Sequence, residues 1–162
     1  MLGRVAAVVS FNVCGSRLAA VRAQRLLPRP FEPLPDIGHD ILPRVPLHTP
    51  DVMLLLVAAA CAWRYNSLVH CAAAVSAATW CGALRGVMVH LTVLPSPLPP
   101  AAWGGTHDLM FSGHTICFCA AAEMLACGWL APAGAAALVA ARAHYTMDVV
   151  VAALAYAAAR RC

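Results

Sequence analysis

Thr106-His107-Asp108-Leu109-Met110-Phe111-Ser112-Gly113-His114-Thr115 and His144-Tyr145-Thr146-Met147-Asp148-Val149-Val150 are two polar clusters joined by an apolar span. An out-and-back pair of helices between them returns both clusters to one side of the molecule. His144 and Asp148 are one helical turn apart, so an imidazole lies beside a carboxylate that fixes its tautomer and steadies its cationic form. Ser112-Gly113-His114-Thr115 sets a second imidazole at the mouth of another helix, among hydroxyl and backbone donors that suit an anion.

Composition gives the class. Of 162 residues, 62% are apolar and only 11% charged, and the mean hydropathy is +0.74. That is too apolar for a soluble domain of this length, and the fold expected is an all-α polytopic membrane bundle of about five to six transmembrane helices. All eleven basic residues are Arg. A net charge of +4 spread along the whole chain lacks the clustered basic face that nucleic acid requires, so no nucleic-acid partner is expected. Six of the eight cysteines (Cys61, Cys71, Cys81, Cys117, Cys119, Cys127) fall in apolar runs without CxxC spacing. They read as small buried side chains rather than a disulfide framework or a zinc site.

Three regions follow from the pattern. Residues 1–24 hold an apolar run, Val5 to Ser16, interrupted by Arg17 and Arg22; this is a marginal first membrane helix or an interfacial one. Residues 25–50 carry seven prolines and both charge signs and read as an ordered surface loop, with Asp36, His39 and Asp40 near the entrance to a site. Residues 51–162 form the helical membrane core. Within it Asp51–Trp63 is a short apolar run and Ser67–Leu94 a long one that contains Arg85. An arginine inside a membrane helix is expensive unless it faces protein, water or an anion, and its fork of donors fits a phosphate. His70 and His90, on the same segment, read as packing contacts. Pro95–Met110 is a loop whose Trp103 suits the interfacial aromatic belt. Gly113–Leu130 reads as a further crossing, Ala131-Pro132-Ala133-Gly134 as a tight turn, and Val149–Ala159 as the start of the last crossing. His114 and His144 are thirty residues apart, so the helices between them must be compressed and, being rich in Ala, must pack through small residues.

With Arg64 and Arg160-Arg161 on the cytosolic side, four alternating crossings put both histidine clusters on the opposite face. Two histidines, an aspartate and an arginine at headgroup depth suit phosphoryl transfer through a phosphohistidine. His144 is the expected nucleophile, oriented by Asp148, and His114 the acid and base. Arg85, Ser112 and Gly113 are expected to hold the phosphoryl oxygens. Asp108, Thr115, Tyr145 and Asp36 are supporting candidates, and no metal or cofactor is expected.

These motifs carry a resemblance. Phe111-Ser112-Gly113-His114-Thr115 and His144-Tyr145-Thr146-Met147-Asp148-Val149-Val150 resemble the third and fourth signature motifs of the sphingomyelin synthase family, the sphingolipid synthase branch of the lipid phosphatase superfamily. Pro33-Leu34-Pro35-Asp36 resembles its first motif, and Arg85 with Leu94-Pro95-Ser96-Pro97 its second. The resemblance covers residues 31–150 and implies a lipid-phosphatase-like core. It also implies nucleophile and acid roles for His144 and His114, and a secretory-pathway (Golgi or endoplasmic reticulum) or plasma membrane with the site facing away from the cytosol. The implied reaction moves a phospho-headgroup from a glycerophospholipid donor to ceramide. Alternative acceptors are diacylglycerol, giving a headgroup exchanger, and water, giving a lipid phosphate phosphatase. The phosphatase branch carries a Lys-bearing first motif and an Arg six residues before its nucleophilic His, whereas this chain has no Lys and has Leu138 at that position. A non-catalytic lipid-binding homologue is the other alternative, and a homo-oligomer is compatible with all of them.

Overall fold

The computed structural model describes residues 2–26, 32–64, 71–97 and 109–161. Asp108, with the rest of Thr106-His107-Asp108, Trp103 and His70 lie outside them. Every regular element among the described residues is helical: α1 (Leu2–Leu26), α2 (Ile37–Ile41), α3 (Thr49–Arg64), α4 (Ala72–Leu91), α5 (Gly113–Met124), α6 (Leu130–Ala140) and α7 (Thr146–Ala159). Helix α5 is the centre of the bundle, packed against α3, α4, α6 and α7, while α1 docks on α4.

The first helix runs from Leu2 to Leu26, straight through Arg17 and Arg22. Arg22 reaches the His90 carbonyl on α4, so its head finds an acceptor while its stem stays within the helix pair. Gly3–Ala23 and Ala72–Leu91 are each long and apolar enough to cross a membrane, by length and composition. Helices α5, α6 and α7 have 12, 11 and 14 residues, against the roughly 20 that a bilayer core requires. Two candidate spans therefore stand where five to six were expected.

The stop signals between residues 113 and 146 explain the shortness. The sequence pattern puts the tight turn at Ala131-Pro132-Ala133-Gly134; the structure places it at residues 125–129. Ala126 takes φ 52°, and the amides of Ala126 and Cys127 donate back to the carbonyls of Glu123 and Ala122, a left-handed helix stop. Pro132 then falls in the first turn of α6, where a missing N–H costs nothing. Arg142, at φ 60°, ends α6 in the same manner, with Arg142 and Ala143 amides on the Val139 and Leu138 carbonyls. Neither stop carries the glycine that would have announced it.

Small residues set the helix spacings. A Cβ on Gly134 would lie 2.3 Å from the ring of Phe118, and one on Gly86 2.4 Å from that of Phe11. Helices α1 and α4 run parallel: Asn12 donates to the Gly82 carbonyl at 2.8 Å, and Gly15 abuts His90 further along. His90, expected as a packing contact, is one: it stacks on Phe11 with ring centroids 4.4 Å apart and donates to the Gly86 carbonyl at 2.7 Å.

The two ends of the bundle differ. The starts of α3, α5 and α7 and the end of α4 meet at one end, through Asp51–His114, Ser112–Asp148 and Arg85–Phe111 contacts. At the other, Arg64 and Leu125 border one depression, and Glu123 pairs with Arg160 at 2.6 Å. Arg64 and Arg160 thus share an end, opposite the histidines.

Gly134→Ala is expected to destabilise the protein by about 1–3 kcal/mol, because Phe118 is fully buried and has nowhere to move. Phe118→Leu in the same chain should recover part of the loss. Thermal unfolding of the detergent-solubilised protein measures both; an unaltered midpoint for Gly134→Ala would mean that α5 and α6 are not in the close contact described.

Candidate functional site

Asp148 sits in the first turn of α7 and is 1% exposed. Its Oδ2 accepts from the Tyr145 amide at 3.1 Å and from His144 Nδ1 at 3.2 Å, and its Oδ1 accepts from the Met110 amide at 2.9 Å. A carboxylate offers only acceptors here, so His144 must carry its proton on Nδ1, and Nε2 holds the lone pair. The Asp148 carbonyl accepts from the Ser112 amide at 3.2 Å. One residue thereby orients His144 and fixes the entry to α5, where His114 begins the first turn. Met110 holds φ 92° beside this anchor, a conformation side chains avoid unless contacts impose it.

The proline-rich loop is a clamp on the His144 turn rather than a solvated cover. Asp36 starts α2 by accepting from the His39 amide at 3.0 Å, and it accepts from the Thr146 amide and hydroxyl, both at 2.7 Å. Burial pushes the Asp36 carboxyl up, but the bonds from Thr146 and His39 outweigh it and hold the group below its ordinary value of 3.8. His39 Nε2 donates to the His144 carbonyl at 2.9 Å, and Arg142 donates to the His39 carbonyl. The Tyr145 hydroxyl accepts from the Leu34 amide and donates to the Pro95 carbonyl, each at 2.9 Å. Burial pushes the Tyr145 phenol above its ordinary pKa against the opposing pull of that amide, so it remains a donor.

His144 and His114 line one cavity of about 1150 Å³ together with Arg85 and Gly113. Its far walls are apolar, from Val5, Val8 and Val9 of α1 to Leu54, Val75 and Ile116. Arg85 is half-buried and faces protein rather than snorkelling outward: its Nε donates to the Phe111 carbonyl at 3.0 Å and its Nη1 to Asn12 Oδ1 at 2.6 Å. Gly113 abuts it, since a Cβ there would lie 3.4 Å from Arg85 Nε. His114 Nε2 meets Asp51 Oδ1 at 2.9 Å; both side chains are exposed, at 39% and 63%, so the pair exchanges with water and orients more than it stabilises.

Several candidates serve structure. Ser112, expected to hold phosphate, does not line the cavity: it is fully buried, and its Oγ accepts from the Thr115 amide at 3.2 Å as the N-cap of α5. Thr115 is buried beneath that turn. Asp36 and Tyr145 hold the turn that presents His144. Two partners escape a reading of the sequence. Asp51 lies sixty-three positions from His114, and Asn12 seventy-three from Arg85. Asp51 opens an apolar helix and reads as a first-turn acid; only the packing of α3 on α5 gives it a second meaning.

The chain matches no protein-family model, no curated protein and no solved structure.

Asp148→Asn is expected to lower stability by about 1–3 kcal/mol, because an amide nitrogen replaces an oxygen that faces N–H donors. Thermal unfolding checks this, and an unchanged midpoint would remove Asp148 from its anchoring position. For Asp36 the sign follows from a depressed value: its stabilisation is complete above pH 3.8 and is lost as pH falls below it. The stability gap between the unaltered protein and Asp36→Asn should be constant at neutral and mildly acid pH and should close below 3.8. A gap that stays constant into that acid range would show that the charge on Asp36 contributes nothing.

Proposed function

We propose that this protein is a multi-pass membrane phosphotransferase that moves a phospho-headgroup from a glycerophospholipid to ceramide through a phosphohistidine. One observation carries the reading: His144, with Nδ1 tied to buried Asp148, shares an apolar-walled cavity with His114 and Arg85. Such a cavity accepts a lipid's polar head against the histidines and its chains against the valines of α1. The resemblance of the four motifs to the sphingomyelin synthase family supports the same assignment, and the opposition of Arg64 and Arg160 to the site supports a site facing away from the cytosol.

In the first half-reaction His144 Nε2 donates its lone pair to the donor phosphorus. The bond from phosphorus to the diacylglycerol oxygen breaks, and His114, as imidazolium, protonates that oxygen. In the second, neutral His114 takes the proton of the ceramide primary hydroxyl, whose oxygen attacks phosphorus as the P–N bond to His144 breaks. The proton balance closes, because the one given to diacylglycerol is recovered from ceramide. Asp148 steadies the charge on the His144 ring in the phosphorylated state. Arg85 and the free amides opening α5 face the phosphoryl oxygens, where charge accumulates in the transition state. Asp51 positions His114 through its contact with Nε2.

Membranes bearing the protein are to be incubated with fluorescent ceramide and mixed phospholipid donors, and the labelled products separated. A new polar sphingolipid is expected, absent with His144→Ala. Arg85→Gln should reduce donor use by about 100-fold with insertion intact. Turnover unchanged by His144→Ala would sink the mechanism, and product formed only from labelled diacylglycerol would move the acceptor to that lipid.

A further inference from the structure

The side chains that face the cavity have a composition that discriminates among headgroups. Two arginines, Arg17 and Arg85, and three histidines, His48, His114 and His144, line it. Against them stands a single lining carboxylate among the described residues, Asp51, already 2.9 Å from His114. Asp148 does not line the cavity and is occupied by its three donors. None of the described lining residues is Phe, Tyr or Trp. A choline or ethanolamine head needs aromatic faces or a carboxylate to replace its hydration, and this cavity offers neither beyond Asp51.

Arg17 occupies a particular place. Because α1 runs parallel to α4, with Asn12 at Gly82 and Gly15 at His90, Arg17 lies toward the end where α4 stops and the histidines gather. It is exposed, and no hydrogen bond or ion pair holds it among the described residues. Arg85, by contrast, is fixed from two sides. The cavity therefore has a positioned guanidinium for the reacting phosphate and a second, adaptable one at its lip. Low-dielectric walls focus the field of both into the cavity.

Resting on the phosphotransferase reading, we propose that the donor is an anionic phospholipid whose headgroup is rich in oxygen and carries no cationic nitrogen, with Arg17 as its headgroup contact. A guanidinium donates to hydroxyl and phosphate oxygens alike, so inositol and glycerol headgroups share the required chemistry. A zwitterionic head brings an ammonium group toward Arg17 and meets repulsion.

Binding is to be measured separately from turnover, on the full chain in neutral detergent. Dioctanoyl phosphatidylinositol, phosphatidylglycerol, phosphatidylcholine and phosphatidylethanolamine are titrated by thermal shift. The first two are expected to bind about tenfold more tightly than the last two, and a difference between them distinguishes the inositol from the glycerol head. Arg17→Gln should abolish that preference, weakening the anionic lipids and relieving the repulsion of the zwitterionic ones, and Arg17→Lys should restore part of it. Arg64→Gln removes the same charge from the opposite end and should leave the preference intact. Equal or tighter binding of the choline lipid overturns the proposal, as does a preference that survives Arg17→Gln or falls equally with Arg64→Gln. With the same four lipids as donors, transfer to neither ceramide nor diacylglycerol would sink the phosphotransferase reading, while the binding comparison still decides the headgroup.

Discussion

The buried carboxylate of Asp148 is the constraint on which the rest of the site depends. Removing a carboxylate from water costs several kcal/mol, and the cost is offset only because three N–H groups converge on it from the His144 ring, the Tyr145 amide and the Met110 amide. The first of those bonds orients an imidazole, the second starts α7, and the third holds the segment that leads into α5. Satisfying one charge therefore fixes the relative positions of two histidines that are distant in sequence. The same convergence explains why Met110 tolerates a left-handed backbone and why Ser112 is given over to capping rather than to ligand.

A second acid reinforces the arrangement from outside. Asp36 bonds the first amide of α7 and the Thr146 hydroxyl, so the start of that helix carries two carboxylates where its dipole is positive. The proline-rich loop is ordered by this contact and by His39 and Tyr145, which fasten it to the His144 turn at backbone atoms. Gly38 sits so close to Thr146 that a Cβ would lie 2.2 Å from its hydroxyl. The loop thus rigidifies the residues that present His144 and leaves the cavity side of that histidine to α1, α3 and α5.

Much of this was legible in the sequence, and the exceptions have physical causes. His144 and Asp148 were readable because their interaction is local, one helical turn. Arg85 was readable because an arginine in an apolar run has few inexpensive places to point. The compression of the helices between His114 and His144 was readable from the spacing, but the places where they stop were not: Ala126 and Arg142 adopt left-handed stops without glycine, and Pro132, an apparent breaker, is harmless in a first turn. The extent of α1 was readable to within a few residues, because long side chains such as Arg22 reach polar neighbours without interrupting a helix. Asn12 and Asp51 were missed because each acquires its role from a helix far along the chain.

The small size of the core has a consequence for how the cavity is built. Helices α5, α6 and α7 are held close by Gly134 against Phe118 and by alanines on every face, which leaves little side-chain volume with which to enclose a lipid-sized space. The missing wall is supplied by α1, which packs along α4 and no other helix among the described residues. It presents Val5, Val8 and Val9 to the cavity, with Asn12 meeting Arg85 on the same side. One helix therefore sets both the apolar lining and the orientation of Arg85. Its junction with α4 combines close approach at glycines, the bonds of Asn12 and Arg22 to α4 carbonyls and the Phe11–His90 stack, none of which involves the Asp148 anchor.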